Sequence, residues 1–489
     1  MDFGGTSLFE GDGAAYARSE AFERRLEDAR AFGRACNGLA DHSPFLSAKG
    51  GLTDGQRVGS WALLWTLAVF LVLRPEALSA LGTFFLASVF GLIILLRLSA
   101  AMAAFVAKPT APAPASSDAD LPVLTALVPL YREGADVVAS LVRALADLDY
   151  PRDKLDVKLL LEADDEATIE AVLRSDLPSW FELIPVPPGL PRTKPKALNY
   201  GLASARGEIV AVFDAEDRPS RDQPREAVAA FQSGRRDLAV VQAPLLIHNG
   251  RDGWFAKQFE IEYAINFRVW LPFLARLGLP LPLGGTSNYF RRGLLEAAGG
   301  WDAWNVTEDA DLGLRLARFG GKAATISAPT WEEAPVRFPD WRAQRTRWIK
   351  GHLQTWLVLM RRPFSAATGM GWASFLSAQL TLGGSLLTSL MHLPVVAWIL
   401  FGLLTPLVSL EGWHAALLGV GYGSVVAAAF AARPSRLTFW DLLSLPLYWP
   451  LLSVSMLCAL WEMKSRPHFW AKTRHGVAPP RSRRLTRAR

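Results

Sequence analysis

The sequence predicts an α/β domain, with a mixed and mostly parallel sheet, inserted between α-helical membrane segments. Three observations carry this expectation. Residues 121–340 alternate short apolar runs with amphipathic stretches, the rhythm of a largely parallel sheet covered by helices. Charge-free apolar stretches flank that region on both sides. The chain of 489 residues is 51% hydrophobic and only 20% charged, which excludes a disordered chain and leaves room for one catalytic domain plus a membrane part.

Taken in order, residues 1–57 interleave acids and bases with no apolar core behind a basic start, so they read as a cytosolic N-terminal region without a cleavable signal peptide. Residues 58–107 form a membrane hairpin: 58–73 and 77–96 are charge-free, and Arg74-Pro75-Glu76 makes the turn. A Pro/Ala/Ser linker fills 108–120. Within 121–340, 123–130, 157–161 and 209–213 are the expected strands, and 137–148 an expected helix. Residues 341–362 form an interfacial helix, its Trp341 and Trp356 and the flanking Arg361 and Arg362 placing it where cytosol meets bilayer. Residues 363–462 are a second membrane region, whose first block, broken by Pro394, reads as one kinked span or two short ones.

The net charge of +6 comes from the end of the chain. Nine basic residues and no acid fall between Met463 and Arg489, so the preceding 462 residues carry −3. That distribution excludes a nucleic-acid binder and marks a cytosolic tail. A tail on the same side as the catalytic domain requires an even number of crossings after residue 362, two or four. Cys36 and Cys458 supply no disulfide framework.

Chemistry-bearing residues gather where strands should end. Asp214, Glu216 and Asp217 follow one apolar strand, at the edge where open α/β sheets bind ligands, and alternate carboxylates there suit a hard cation. A solvated acidic turn is the competing reading. Glu162, Asp164 and Asp165 follow a second strand; Tyr131, Arg132 and Glu133 follow the first. Arg192, Lys194 and Lys196 precede a small-residue helix and suit a diphosphate. Thr307 is placed to N-cap a helix whose first turn holds Glu308, Asp309 and Asp311. Gln344, Arg347 and Trp348 share one face of the next helix.

In this order, Tyr131-Arg132-Glu133, the acidic strand end, Lys194 through Asn199, Asp214-Ala215-Glu216-Asp217, Thr307-Glu308-Asp309 and Gln344-Arg345-Thr346-Arg347-Trp348 resemble the membrane-embedded family 2 glycosyltransferases of the cellulose-synthase and hyaluronan-synthase type. The resemblance covers roughly 121–476 and the preceding hairpin. Two departures, Asp-Ala-Glu-Asp at the metal motif and Gly284-Gly285-Thr286-Ser287-Asn288 on the acceptor side, are closer in form to bacterial exopolysaccharide and mixed-linkage β-glucan synthases. No segment resembles a cyclic di-GMP-binding PilZ domain.

The resemblance implies a Rossmann-like GT-A domain, cytosolic, in a multi-pass protein of the cytoplasmic membrane. It implies an inverting, processive transferase that builds a β-linked, glucan-like exopolysaccharide from a UDP-sugar onto a growing glycan and passes it into the lipid bilayer, with envelope export partners. By the same carry-over, Tyr131, Glu133, Asp164, Asp165, Lys194 and Asp214 bind the nucleotide sugar. Asp214, Glu216 and Asp217 hold Mg2+ or Mn2+. Asp309 is the general base, with Glu308 as the weaker candidate. Gly285, Thr286, Ser287, Asn288, Gln344, Arg345, Arg347 and Trp348 serve acceptor and pyrophosphate, and Phe469 to Thr473 are a gating segment. Gln379, Thr381, Ser385 and His392 are candidates to line a sugar channel. The alternatives are single addition to a lipid acceptor and a non-catalytic membrane scaffold.

Overall fold

The computed structural model describes residues 27–107, 117–405 and 411–470. Its centre is a seven-stranded sheet in the order β3-β2-β1-β4-β8-β6-β9. These strands are β1 (Leu124–Leu130), β2 (Leu155–Glu162), β3 (Phe181–Val186), β4 (Ile209–Val212), β6 (Leu238–Gln242), β8 (Asn288–Arg291) and β9 (Lys322–Thr325). Only β8 runs antiparallel to its neighbours; every other pair is parallel. β5 (Arg218–Pro219), β7 (Leu245–Ile247) and β10 (Thr330–Glu332) form a small second sheet in the order β5-β10-β7. This is the mixed, mostly parallel arrangement expected of a GT-A domain.

The reason lies in the apolar runs. β1 and β2 are buried on both faces, so they read as near-continuous Leu/Val/Ala rather than as alternating strands. Helices cover both sides: Val138, Leu141 and Leu145 of the helix Ala135–Ala146 pack on one face, and Ala197 and Leu198 of the helix Lys194–Leu202 on the other. Because the chain builds outward from β1 to β2 and β3 and then crosses to β4, the strand order reverses between β1 and β4. The crevice beyond their carboxyl ends is where such sheets receive ligands.

Among the described residues, five helices are long and apolar enough to cross a membrane: Asp54–Leu73, Pro75–Val106, Trp372–Leu404, Gly412–Ala432 and Phe439–Ser465. The first two form the expected hairpin, turning at Arg74, and none of the residues of Asp54–Leu73 is buried. Trp372–Leu404 is one helical run of 33 residues that carries Pro394 inside it, not two short ones.

Phe439–Ser465 behaves differently from the other four. At its start, the Asp441 carbonyl and Ser444 hydroxyl accept from Gln258, on the catalytic-domain helix Trp254–Ile265. In its middle, Tyr448 bonds Trp341 and Glu262; at its end, Glu462 pairs with Lys350 at 2.8 Å. It therefore lies along the catalytic domain for its whole length.

The helix Phe338–Leu359, expected to be interfacial, is half buried against protein, with 11 of its residues enclosed. Trp341 is fully buried, and Trp356 donates to Gln379 Oε1 at 2.9 Å. Arg361 donates to the carbonyls of Pro44, Ser47 and Gly51, while Arg362 covers the Phe45 ring. Residues 44–51 of the N-terminal region, read from sequence only as polar, are thus strapped to the domain, and Asp302 fastens them by accepting from Ser47 and the Ala48 amide.

Candidate active site

A cavity of about 510 Å³ opens at the reversal point between β1 and β4 and continues to the membrane helices. β1 ends in Tyr131 and Glu133, which line it. Between them Arg132 adopts a left-handed φ of 54°, a conformation costly for a non-glycine residue. Asp165 sustains it by accepting the Arg132 amide at 2.5 Å, and it also caps the helix Glu166–Leu173 through Thr168. Asp164 pairs with Arg192 at 2.5 Å. Neither Asp164 nor Asp165 lines the cavity; Glu162 and Arg192 do. The Asp164/Asp165 pair thus holds the pocket wall, beside Glu162 and Arg192.

β4 delivers Asp214 and Glu216 into the cavity. Asp217 turns the other way: its Oδ2 accepts from the Asp214 amide and from Thr286, tying the acidic turn to the Gly285 loop. Of the three carboxylates expected to hold a metal, Asp214 and Glu216 line the cavity, and among the described residues no group of three metal-ligating side chains is assembled. Two cavity-facing carboxylates are what Mg2+ or Mn2+ uses alongside phosphate oxygens, and behind them Asp217 Oδ1 is buried without a partner, where burial, then the charges of Asp214 and Glu216, hold its carboxyl well above the ordinary range. Glu332, at the end of β10, lines the same wall; burial, then the charges of Asp217, Glu216 and Asp214, hold its carboxyl well above the ordinary range. Sequence reasoning missed Glu332, although it follows a strand as the other acids do. Crowded carboxylates of this kind are relieved by a cation.

Lys194 opens its helix at the cavity wall, paired with Asp214 and donating to the Gly285 carbonyl at 2.6 Å. Burial pulls its pKa down, yet the carboxylates of Asp214 and Glu308 outweigh that and leave it raised, so it is firmly cationic. Gly285 and Thr286 line the cavity, but Ser287 and Asn288 do not. Ser287 bonds Thr330, and Asn288 donates back to Gly284, so these two shape the loop from behind.

Opposite stand Glu308 and Asp309, at the start of the helix Glu308–Arg318. The capping explanation for this acidic turn fails: Thr307 makes no side-chain cap, and its hydroxyl is buried without a partner. Asp311 is accounted for by Arg315, at 2.8 Å. Burial first, then the charge of Asp309, pushes Glu308 up to about 8, against Lys194 and Arg347. Burial also raises Asp309, opposed by the Ala310 amide and the same two cations. Asp309 Oδ2 lies 3.3 Å from where a side chain on Gly285 would begin, so glycine there leaves the approach open.

The helix Phe338–Leu359 closes the site from the membrane side, with Gln344, Arg347 and Trp348 all on the cavity as their spacing predicts. Arg345 lines the cavity as well, where it forms two 2.6 Å bonds to Glu262 and lies against the Phe259 and Trp348 rings. This helix approaches the acidic turn closely because residue 351 is glycine. A Cβ there would lie 2.3 Å from Thr307 Oγ1 and 2.7 Å from Thr307 Cβ. Gly351→Ala is expected to destabilise the protein by about 1 to 3 kcal/mol, read as a lowered melting temperature, because neither backbone has room to yield.

Residues 466–470 cross the mouth of the cavity. Lys350 holds the Phe469 carbonyl at 2.8 Å, Gln354 holds Pro467, and the Arg347 guanidinium sits 5.0 Å from the Trp470 ring. Residues 471–473 of the expected gating segment lie outside the described residues. On the membrane side, Thr381 and Ser385 line the cavity as expected; Gln379 is engaged with Trp356, and His392 with Tyr422.

Comparison with known proteins gives three results. The model of "Glycosyl transferase family group 2" matches residues 209–461. Among curated proteins, the probable glycosyltransferase YdaM of Bacillus subtilis is 27% identical over 48% of this chain and 56% of its own. A beta-monoglucosyldiacylglycerol synthase of Trichormus variabilis is 30% identical over 48% and 50%, and a probable glucomannan 4-beta-mannosyltransferase of Oryza sativa 26% over 48% and 42%. The match thus spans about half the length of these relatives. Among solved structures, the mannosyltransferase PcManGT of Pyrobaculum calidifontis, in complex with GDP-Man and Mn2+, aligns over 78% of this chain and 96% of its own, with 21% identity and a TM-score of 0.49.

Proposed function

The chain belongs to glycosyl transferase family group 2, whose model covers more than half of it, and on that premise we propose that it transfers a sugar, with inversion, from a nucleoside diphosphate donor to an acceptor that enters from the membrane. The observation that carries this is the continuity of one cavity, from the Tyr131/Glu133 and Asp214/Glu216 wall past Asp309 to Ser385 and Leu386 of the membrane helices.

Each residue has a chemical part. Tyr131, Glu133 and Arg192 surround the nucleoside, and Lys194 faces the diphosphate as a fixed cation. Asp214 and Glu216 would hold Mg2+ or Mn2+, which when bound supplies Lewis-acid stabilisation of the departing diphosphate. Asp309 takes the proton of the acceptor hydroxyl as its oxygen bonds the anomeric carbon and the bond to the diphosphate breaks. Arg347 offsets the charge gathering on the leaving group, and Trp348 offers its ring to the acceptor.

Two acceptors fit an entrance from the bilayer. Ile93, Leu386, Val425 and Leu452 make the membrane end of the cavity largely apolar, which favours a lipid, and the beta-monoglucosyldiacylglycerol synthases among the relatives point the same way. The hydroxyls of Thr381, Ser385, Thr388 and Ser389 on the same lining favour a growing β-glycan, the polymer expected from sequence. Purified protein in lipid, given Mn2+ and labelled UDP- and GDP-sugars, separates them: a single-sugar lipid supports the first reading, a long polymer the second, and no turnover with any donor overturns both.

The same geometry supports a topology. The start of Asp54–Leu73 meets Leu357, on the helix Phe338–Leu359 that closes the site, and the end of Gly412–Ala432 meets Arg268 of the catalytic domain. With Phe439–Ser465 lying along that domain, the crossings are two before it and two after it. That satisfies the even parity and keeps Trp470 on the catalytic side, the cytosolic one if the donor is a cytosolic nucleotide sugar.

The rate should rise with pH through the titration of Asp309, displaced above ordinary carboxylates, and fall near pH 8 as Glu308 ionises and adds negative charge beside the diphosphate. Glu308→Gln should remove the fall near pH 8 and keep the lower limb. A pH profile of kcat/KM for both proteins checks this.

A further inference from the structure

One cation on the cavity has no part in the transfer chemistry. Arg97, on the helix Pro75–Val106, lines the membrane end. Its Nη1 donates to the neutral Ser424 Oγ at 3.1 Å, and among the described residues no salt bridge reaches it. A guanidinium half-buried among membrane helices without a carboxylate is costly, and such groups mark ligand positions.

Its height is set by the sequence. Residues 77–96 are twenty consecutive uncharged residues, about 30 Å of helix, which is the thickness of a bilayer's hydrocarbon core. Arg97 is the next residue, and Val106 ends the helix nine residues further on, toward the catalytic domain, where Ala100 packs on Ala264 and Val269. Arg97 therefore stands at the headgroup level on the catalytic side. It faces a space bounded by Ile93, Leu386 and Val425 and opening toward Asp309.

We propose that Arg97 binds the anionic headgroup, phosphate in chemistry, of a lipid whose chains lie against these apolar side chains, so that the membrane-borne acceptor is an anionic lipid. A guanidinium fork matches phosphate oxygens, and Ser424 sets its direction. The inference rests on the reading of this cavity as a transferase site open to the bilayer. A glycan bearing carboxylates offers the same charge, but the apolar walls beside Arg97 give its hydroxyls few partners.

The test uses full-length wild type, Arg97→Gln and Arg97→Lys in phosphatidylcholine nanodiscs, with fluorescent phosphatidic acid as the probe and nucleoside diphosphate affinity measured in the same samples. Wild type should hold phosphatidic acid about tenfold or more tightly than Arg97→Gln, with Arg97→Lys between the two, since it keeps the charge and loses the fork, and nucleoside diphosphate affinity equal in all three. Unchanged retention in Arg97→Gln overturns the proposal, as does displacement of the probe by inorganic phosphate, which would mean a free-anion site, or by a uronic-acid oligosaccharide, which would mean an acidic glycan. Loss of the lipid in Arg97→Gln in a protein that binds no nucleoside diphosphate would keep this site and overturn the transferase reading instead.

Discussion

Asp309→Asn should lower transfer by about three orders of magnitude while leaving donor binding nearly intact. The amide keeps the size of the carboxylate, and its oxygen can still accept from the Ala310 amide, which now bonds Asp309 Oδ1 at 2.8 Å, so the turn stays in place. What disappears is the group that accepts the acceptor's proton. A second consequence follows from the shared field: Asp309 is the neighbouring charge that raises Glu308, so in Asp309→Asn the Glu308 carboxyl should titrate below its present value of about 8. Turnover with a labelled donor, donor affinity by calorimetry and the pH profile together check this. Wild-type turnover in the variant would move the base elsewhere, with Glu308 next in line.

Asp214→Asn should cost about 100- to 1,000-fold in kcat/KM and weaken the response to Mn2+. Asp214 faces the cavity from the end of β4, pairs with Lys194 and, with Glu216, makes the oxygen pair left for a cation once Asp217 is committed to Thr286. Its loss removes a ligand and the nearest charge that keeps Lys194 protonated. Chelation of divalent cations should silence wild type and restore with Mn2+, whereas the variant should need far more Mn2+ for the same rate. Asp217→Asn should behave differently, lowering stability without shifting the Mn2+ requirement. Equal metal titrations for Asp214→Asn and wild type would contradict the assignment.

Much of this was legible beforehand because it is written in periodicity. Runs buried on both faces made β1, β2 and β4 readable as parallel strands. Strand ends placed Tyr131, Glu133, Asp214 and Glu216 near one another, since residues following parallel strands share an edge. Helical spacing put Gln344, Arg347 and Trp348 on one face. The charge-free lengths marked the membrane hairpin and the later spans.

Direction and partnership within a motif were not legible. Asp214 and Asp217 look alike in sequence, yet one faces the cavity and the other binds Thr286, 69 residues away. Arg345 and Arg347 both line the cavity, and only Glu262, on a distant helix, shows that Arg345 is held there by an ion pair. Glu332 became part of the site through β10 pairing with β5 and β7.

The sequence by itself determined the class of sheet, the membrane hairpin, the tail's charge and the set of residues able to do this chemistry, because these depend on local pattern and composition. The tertiary structure alone decided which carboxylates face the donor, that Phe439–Ser465 runs along the domain, and that Arg97 shares a cavity with Asp309. Those outcomes depend on contacts between residues tens to hundreds of positions apart, and burial and pairing there set each side chain's direction and charge.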